Sequence, residues 1–173
     1  MVMDCCYTGQ NQRTRKILLD FHQVTSTLLR DFENEEIHYA LIGGFALGLW
    51  GATRATIDMD FLLLAKDVEQ TEKILARYHY RCIQKTENVG QYVSDKPTYG
   101  SVDFIFASRN ISKKMLDRSV YVELISNLAV KVLIPEDIIG LKVQALSNDP
   151  SREVKDYADI DALLKSNAFT RLL

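Results

Sequence analysis

The chain has 173 residues, of which 47% are hydrophobic and 25% charged, and its formal net charge is -2. This composition excludes disorder as the main state, and it lacks the global basic field that proteins bound to a phosphate backbone usually carry. The sequence has no apolar run near the ~20 residues of a membrane helix and no signal peptide, and its three cysteines predict neither a disulfide framework nor a zinc site. We therefore expect a cytoplasmic protein without a membrane segment, folded as one domain over 1–173.

The first half of the sequence predicts helices that alternate with strands. Apolar residues recur at helical spacing from Ile17 to Phe32, which predicts a helix with one core-facing side. Gly43-Gly44 ends a short apolar segment, and Asp67 stands where a helix N-cap is expected. The predicted elements are a helix over about 12–35, a strand over 38–42, a helix over 45–50, a strand over 56–64 and a helix over about 67–80.

The second half predicts a series of strands followed by two helices. Pro135 is typical of the first turn of a helix, and Cys82 is expected to be a small buried residue of a strand. The predicted strands cover 81–84, 91–94, 101–107, 121–125 and 129–133, and the predicted helices cover 112–117, 135–148 and 152–165. This order predicts an α+β (or α/β) fold in which a mixed β-sheet is flanked by helices. We expect an N-terminal helix (12–35), a core (38–133) and C-terminal helices (135–165).

Asp58 and Asp60, two residues apart, are the first candidate site residues. Residues two apart in a strand face the same way, so both carboxylates are expected on one face while Met59 points into the apolar layer. Adjacent carboxylates repel each other, and a divalent cation such as Mg²⁺ would relieve the repulsion. The structural alternative is that both aspartates are the solvent-facing side of an edge strand.

Two further features accompany the aspartate pair. Upstream, Gly43-Gly44 joins a strand to a helix, where backbone amides can hold phosphate, although a tight turn alone would also explain the two glycines. Downstream, Asp103 interrupts an apolar strand over 102–106, and a carboxylate there is costly unless it is exposed or bound to a metal. Together, the three aspartates and the glycine pair predict a metal site beside a phosphate-binding turn.

The combination of these motifs resembles the nucleotidyltransferase superfamily with the polymerase-beta-like catalytic fold. The signature of that superfamily is a Gly-Gly turn that opens a helix, an Asp-x-Asp on the next strand and a third acidic residue on a later strand. Over about 40–164, the chain resembles the AbiEii-type toxins and related small nucleotidyltransferases, and less specifically the lincosamide-modifying type. The residues that carry the closer resemblance are Gly43, Gly44, Ala46, Gly51, Arg54, Thr56, Asp58, Asp60, the segment 135–142, Arg152, Lys155, Asp156, Tyr157, Asp159 and Ile160.

The resemblance implies an Mg²⁺-dependent transfer of a nucleoside monophosphate from a nucleoside triphosphate to a hydroxyl acceptor, with release of pyrophosphate. Asp58, Asp60 and Asp103 would be both the catalytic residues and the ligands of two Mg²⁺ ions, and Asp103 would help to deprotonate the acceptor. The implied nucleotide-binding residues are Gly43, Gly44, Arg54, Thr56 and Lys142. The acceptor stays open between a small hydroxylated molecule, RNA and protein, and the expected partner is an antitoxin or a second copy of the chain.

Other positions leave alternatives open. Phe45 stands where many members of the superfamily have a Ser or Thr whose hydroxyl helps to hold a phosphate. This departure supports a second hypothesis, a catalytically weak or inactive module of the same fold that binds nucleotide or a partner protein. Lys142 either extends along its helix or points into the cleft, and the resemblance favours the cleft. The i,i+4 pairs Arg152–Asp156 and Lys155–Asp159 predict a salt-bridged face of the last helix.

Overall fold

The computed structural model describes residues 25–52, 58–96, 99–125 and 128–166, together with residues 23 and 56. The helices and strands of this part of the chain are, in order, α1 (25–34), β1 (Tyr39–Ile42), α2 (Gly43–Leu49), β2 (Met59–Leu64), α3 (Val68–Arg77), β3 (Tyr80–Lys85), β4 (Val89–Ser94), β5 (Ser101–Ala107), α4 (Asn110–Asp117), β6 (Val120–Ile125), β7 (Leu128–Val132), α5 (Pro135–Asn148) and α6 (Glu153–Lys165). Short 3₁₀ turns at Ala65–Asp67 and Pro150–Arg152 lead into α3 and α6.

A mixed sheet joins the seven strands in the order β3-β4-β5-β2-β1-β7-β6. The central strand β2 pairs antiparallel with β1 on one side and parallel with β5 on the other. A second parallel pair joins β1 to β7, while the remaining neighbours run antiparallel. This mixed sheet, with helices packed against it, confirms the predicted α+β fold.

An aromatic cluster fills the face of the sheet that is turned toward α1. Phe61 of β2 stacks on Phe104 of β5 with the ring centroids 5.6 Å apart, and it meets Phe32 of α1 edge-on at 5.8 Å. All three rings are buried, and aromatic pairs of this kind add to the stabilisation from area burial. Because successive strand residues point to opposite faces, the residues that precede Phe61 and Phe104 lie on the other side of the sheet.

Several element bounds differ from the prediction, and β2 matters most for the site. β5 and α5 have the predicted bounds, whereas β2 begins at Met59 instead of residue 56. β1 ends at Ile42, which pairs with Asp60, so the residues before Met59 have no strand partner on that side. Asp58 therefore precedes the strand instead of forming part of it. Residues 12–22 of the predicted first helix lie outside the described residues.

The prediction that Cys82 is buried is wrong. Cys82 is exposed because β3 is an edge strand, and every residue of β3 after Tyr80 is exposed. Asp67 does occupy the N-cap position of α3, but its carboxylate makes no capping hydrogen bond and instead accepts one from the backbone N–H of His38 at 2.9 Å. None of the helices in the described ranges is long and apolar enough to cross a bilayer.

Candidate active site

Asp60 and Asp103 lie side by side on the face of the sheet opposite the aromatic cluster. They are directly paired across the parallel strands β2 and β5, and Gln91 of β4 is paired with Asp103 in turn. Side chains at directly paired positions share a face and interact. The Gln91 amide nitrogen lies 3.5 Å from Asp103 Oδ2, at the limit of a hydrogen bond. The central strands thus bring two of the three predicted carboxylates together.

The Gly-Gly turn after β1 lies directly beside these carboxylates. Gly43 has a φ of 65°, and a Cβ atom on it would lie 1.9 Å from Asp60 Oδ2. A Cβ atom on Gly44 would lie 2.8 Å from the methyl group of Thr56. Both positions therefore require glycine, the first for its left-handed backbone and both for these close approaches. The predicted phosphate-binding turn is in direct contact with a predicted metal ligand.

Asp58 precedes β2 and is exposed. Its Oδ1 accepts a 2.9 Å hydrogen bond from the hydroxyl of Ser101, the first residue of β5. Thr56 holds the backbone of Asp58, since the Asp58 N–H donates to Thr56 Oγ1 at 3.3 Å. In this structure Thr56 is a positioning residue between Gly44 and Asp58, and its contact with a nucleotide stays a prediction.

Burial and a neighbouring like charge both disfavour the ionised form of Asp103. Burial raises the pKa of the Asp103 carboxyl, and the negative charge of Asp58 raises it further, against a smaller opposing effect of Gln91. Within the described residues, neither Asp58 nor Asp103 forms an ion pair with a lysine or an arginine. A cation bound near both carboxylates would remove this repulsion.

The carboxylates fit Mg²⁺ by their donor chemistry, without forming a preassembled cage. Mg²⁺ is usually bound through one or two carboxylates, with waters and substrate phosphates as the other ligands. Over the described ranges, no group of three or more His, Cys, Asp or Glu side chains is arranged to hold a metal ion. The fit therefore rests on the pairing of Asp60 with Asp103 and on the repulsion between Asp103 and Asp58.

A charge network lies between α5 and α6, beside the carboxylates, with Lys142, Asp156 and Asp159 buried and Arg152 exposed. Lys142 Nζ donates to Asp156 Oδ1 at 3.0 Å and to Asp159 Oδ2 at 2.6 Å. Arg152 Nε donates to the other carboxylate oxygen of Asp156 at 2.9 Å, and Asp156 is fully buried. Burial alone would raise the pKa of Asp156, but the hydrogen bonds from Arg152 and Lys142 outweigh it and lower the pKa. Every charge of this network has an opposite charge beside it.

A cavity of about 130 Å³, here called the charged cavity, joins this network to the carboxylate site. Its polar lining consists of Gly43, Asp60, Lys142 and Arg152. The hydrogen bond to Asp156 raises the pKa of Arg152 most, and the charge of Asp60 contributes to the same shift. The apolar side chains that close the charged cavity come from β1, β5 and α5, namely Ile42, Ile105, Ile138, Leu141 and Ala145.

The structure brings most of the predicted site residues to one region. Contacts and shared cavity walls connect the residues Gly43, Gly44, Thr56, Asp58, Asp60, Asp103 and Lys142. Arg54 lies outside the described residues. The i,i+4 spacing predicted a salt-bridged helix face for Asp156 and Asp159 but not their contact with Lys142. The available signal was a lone lysine within the apolar run of α5.

The comparison with protein families gives one match over most of the chain. A family model described as nucleotidyl transferase AbiEii toxin, type IV TA system, matches residues 27–173. The matched range contains every residue of the predicted site. Comparison with curated protein sequences gave no match.

Among the solved structures that share the fold, three illustrate the likeness. ANT(2")-Ia in complex with adenylyl-2"-tobramycin is 12% identical, with a TM-score of 0.61 over 84% of this chain and 87% of that one. A proposed nucleotidyltransferase from Thermotoga maritima is 14% identical, with a TM-score of 0.58 over 80% of this chain and 92% of that one. The lincosamide antibiotic adenylyltransferase LnuA with bound lincomycin is 14% identical, with a TM-score of 0.52 over 87% and 96%. At these identities the likeness establishes the fold alone.

Proposed function

We propose that this chain, which belongs to the AbiEii family of nucleotidyltransferase toxins of type IV toxin–antitoxin systems, transfers a nucleoside monophosphate from a nucleoside triphosphate to a hydroxyl group. Mg²⁺ would be its metal, and pyrophosphate would be the released product. The observation that carries the proposal is the close approach of Gly43 to Asp60, together with the direct pairing of Asp60 and Asp103. An acidic site in contact with a backbone turn of this kind supports the binding of a metal-bound triphosphate.

The three aspartates receive separate roles in this proposal. Asp58 and Asp60 would hold the Mg²⁺ ion that accompanies the triphosphate, and Asp103 would hold a second ion and help to accept the proton of the attacking hydroxyl. When bound, Mg²⁺ supplies charge neutralisation at the phosphates and polarises the reacting oxygens. The contribution of the protein is to orient the reactants and to stabilise charge, as in phosphoryl transfer generally.

The nucleotide contacts are assigned to the surroundings of the aspartates. The backbone of Gly43-Gly44 would face the phosphates, and Arg54 and Thr56 would contact the nucleotide from the segment before β2. Lys142 lines the same cavity as Asp60, while its ammonium group is shared between Asp156 and Asp159. Its role would therefore be to set the charge of the cavity wall on which the phosphates rest.

The acceptor and the partner are further parts of the proposal. ANT(2")-Ia and LnuA were solved with an adenylylated and an unmodified antibiotic respectively, which supports a small hydroxylated acceptor. An RNA or protein acceptor is the alternative for a toxin. Membership of the toxin family supports an antitoxin as partner, with a second copy of the chain as the alternative. We place the reaction in the cytoplasm, without membrane attachment.

A second candidate function rests on Phe45. This side chain packs against the hydrophobic core and has no hydroxyl to offer a phosphate. A catalytically weak or inactive module that binds nucleotide or a partner protein is the function that this observation favours.

The decisive experiment measures thermal unfolding while Mg²⁺ and each nucleoside triphosphate are titrated together. A ligand at 100 times its dissociation constant should add about 2.7 kcal/mol to the free energy of unfolding. We expect this stabilisation for at least one triphosphate, only with Mg²⁺ present, and we expect the double variant Asp58→Ala/Asp60→Ala to lose it. Asp161→Ala, an exposed aspartate of α6, serves as the control that keeps it.

Turnover is then measured with a triphosphate labelled in the α-phosphate. Total RNA, protein extract and hydroxylated antibiotics are offered as acceptors, and label transfer is followed together with pyrophosphate release. Binding without any transfer would favour the module hypothesis. If no triphosphate stabilises the protein with Mg²⁺, both candidate nucleotide functions are wrong.

A further inference from the structure

A second cavity, of about 310 Å³, opens on the carboxylate face of the sheet. It lies between the start of β4, the end of β5, α4 and α5, and we call it the lateral cavity. Two contacts fix α4 against α5 and so shape the walls. Arg118 Nε donates to Asp137 Oδ2 at 2.6 Å, and the methyl group of Met115 lies 3.9 Å from where a Cβ atom of Gly140 would be. The volume falls within the range of about 300–1,000 Å³ that is typical of small-ligand sites.

The lining of the lateral cavity is apolar with a neutral polar rim. Of its thirteen residues, seven are apolar, five are neutral and polar, and only Arg109 is charged. Three of the polar residues, Asn88, Gln144 and Asn148, carry exposed amide groups at the rim. These amides make no hydrogen bonds within the described residues and are therefore available to a ligand. Each amide offers both donors and an acceptor.

The lateral cavity adjoins the charged cavity, which is lined by Asp60. Ile105, Leu141 and Ala145 line both cavities. Ile105 follows Asp103 by two residues on β5 and lies on the same face of the sheet. The lateral cavity therefore extends from the carboxylates along β5 in one direction, while Asp58 and Ser101 lie in the other.

We propose that the lateral cavity binds the nucleoside part of the nucleoside triphosphate, and that Asn88, Gln144 and Asn148 determine which base is accepted. The inference rests on the proposed function, and charge complementarity carries it. A nucleoside triphosphate joins a highly charged tail to a flat, mostly apolar base whose edge carries neutral donors and acceptors. The two adjoining cavities have the same division, since one is lined by Asp60, Lys142 and Arg152 and the other has apolar walls with an amide rim.

The direction of the strands favours the nucleoside over the acceptor as the occupant. The acceptor hydroxyl must reach Asp103, and on one side of Asp103 along the strands lie Asp58 and Ser101, whose hydrogen bond is exposed to solvent. The lateral cavity lies on the opposite side, beyond Ile105. An acceptor bound there would approach across the charged cavity, where the proposal puts the phosphates.

The experiment compares the binding of Mg²⁺ with each of four triphosphates (ATP, GTP, CTP and UTP) and with inorganic tripolyphosphate, by calorimetry. Tripolyphosphate carries the charged tail alone, so it reports only on the charged cavity. We expect at least one nucleoside triphosphate to bind more than tenfold tighter than tripolyphosphate. In Gln144→Ala/Asn148→Ala this affinity should fall about tenfold, because one or two hydrogen bonds to the base are lost, while that of tripolyphosphate is unchanged.

Ser147→Ala, an exposed position of α5 outside the cavity lining, is the matched control and should change neither affinity. Equal affinities of the wild type for tripolyphosphate and for all four triphosphates would overturn the inference and leave the proposed function standing. An unchanged preference among the four triphosphates in the double variant would also overturn it and favour an acceptor in the lateral cavity. If neither tripolyphosphate nor any nucleoside triphosphate binds, the proposed function fails and the inference fails with it.

Discussion

Two groups of charged residues on the same side of the sheet differ in whether their negative charges are balanced by positive ones. Asp58, which precedes β2, and Asp103 of β5 repel each other: burial raises the pKa of Asp103 most, the charge of Asp58 raises it further, and neither of these two carboxylates has a cationic partner among the described residues. The network between α5 and α6 is compensated, since Asp156 is fully buried and accepts hydrogen bonds from both Lys142 and Arg152. The first arrangement costs folding free energy and the second avoids such a cost.

This difference in charge balance indicates which of the two groups binds a ligand. An uncompensated carboxylate pair in a folded protein is a sign of a site that a cation or a substrate completes. A compensated network instead holds two helices together and gives one wall of the cleft a fixed shape. Removing charge should therefore have opposite effects on stability at the two places.

The largest expected effect is the loss of activity on Asp103→Asn. We expect nucleotidyl transfer to fall at least about 100-fold, as for the removal of other groups that stabilise charge in the transition state. The free energy of unfolding should stay the same or rise slightly, because the repulsion from Asp58 is removed. Label transfer and chemical denaturation measure the two quantities. Asp95→Asn, an exposed control on the loop after β4, should change neither, and a marked loss of stability in Asp103→Asn would contradict the comparison.

The opposite result is expected for Asp156→Ala, which breaks the compensated network. This variant leaves Lys142 and Arg152 without a common partner and should lower the free energy of unfolding by about 3–5 kcal/mol. Asp161 is the matched control, since it lies on the same helix in an exposed ion pair with Lys165. Asp161→Ala should cost less than about 0.5 kcal/mol. Equal losses in the two variants, measured by denaturant unfolding, would show that the burial of Asp156 has no energetic importance.

The contact between the turn and the carboxylate can be tested at Gly43. Gly43→Ala forces an L side chain into a left-handed backbone and against Asp60 Oδ2, so we expect a loss of about 2 kcal/mol in stability together with weaker binding of Mg²⁺ and triphosphate. Gly48→Ala is the control, because a Cβ atom there meets nothing within 4 Å. At this helical position, alanine should stabilise the protein by about 0.5–1 kcal/mol. Unaltered binding in Gly43→Ala would argue against a role of this contact in the site.

A smaller effect is expected in the pH dependence of stability. The pKa of Asp156 is lowered in the folded protein, so its ionised form stabilises the fold above the ordinary aspartate pKa. This contribution should disappear as the pH falls below the ordinary value and through the lowered pKa. The measurement is the difference in unfolding free energy between the wild type and Asp156→Asn from pH 7 to pH 2. We expect this difference in unfolding free energy to be constant near neutral pH and to become smaller at acid pH. A larger difference at acid pH would contradict the prediction.

Local patterns were sufficient to predict β5 and α5. The alternation around Asp103 and the proline at the start of α5 act within a few residues, and both elements have the predicted bounds. The alternation around Asp58 predicted a longer β2, but the strand begins only where β1 and β5 supply partners. Strand length here depends on the ends of the neighbouring strands, which no local pattern reports.

The network around Lys142 shows the same limit for the site. The i,i+4 spacing correctly predicted the pair of Arg152 with Asp156, because both residues lie on one helical segment. The bond from Lys142 to Asp159 joins two helices across 17 residues of sequence. Its formation depends on how α5 packs against α6. The exposure of Cys82 has a related cause, since the position of β3 at the sheet edge is decided by the topology.

The central position of β2, with three strands on each side, has a consequence for motion in the native state. Backbone amides of edge strands exchange with solvent through small local openings, whereas those of a central strand exchange only when most of the sheet opens. The amide of Asp60 should therefore be among the last to exchange. Openings at β3 or β6 would leave the spacing between Asp60 and Asp103 intact, so that the chemistry can continue while the margins of the sheet fluctuate.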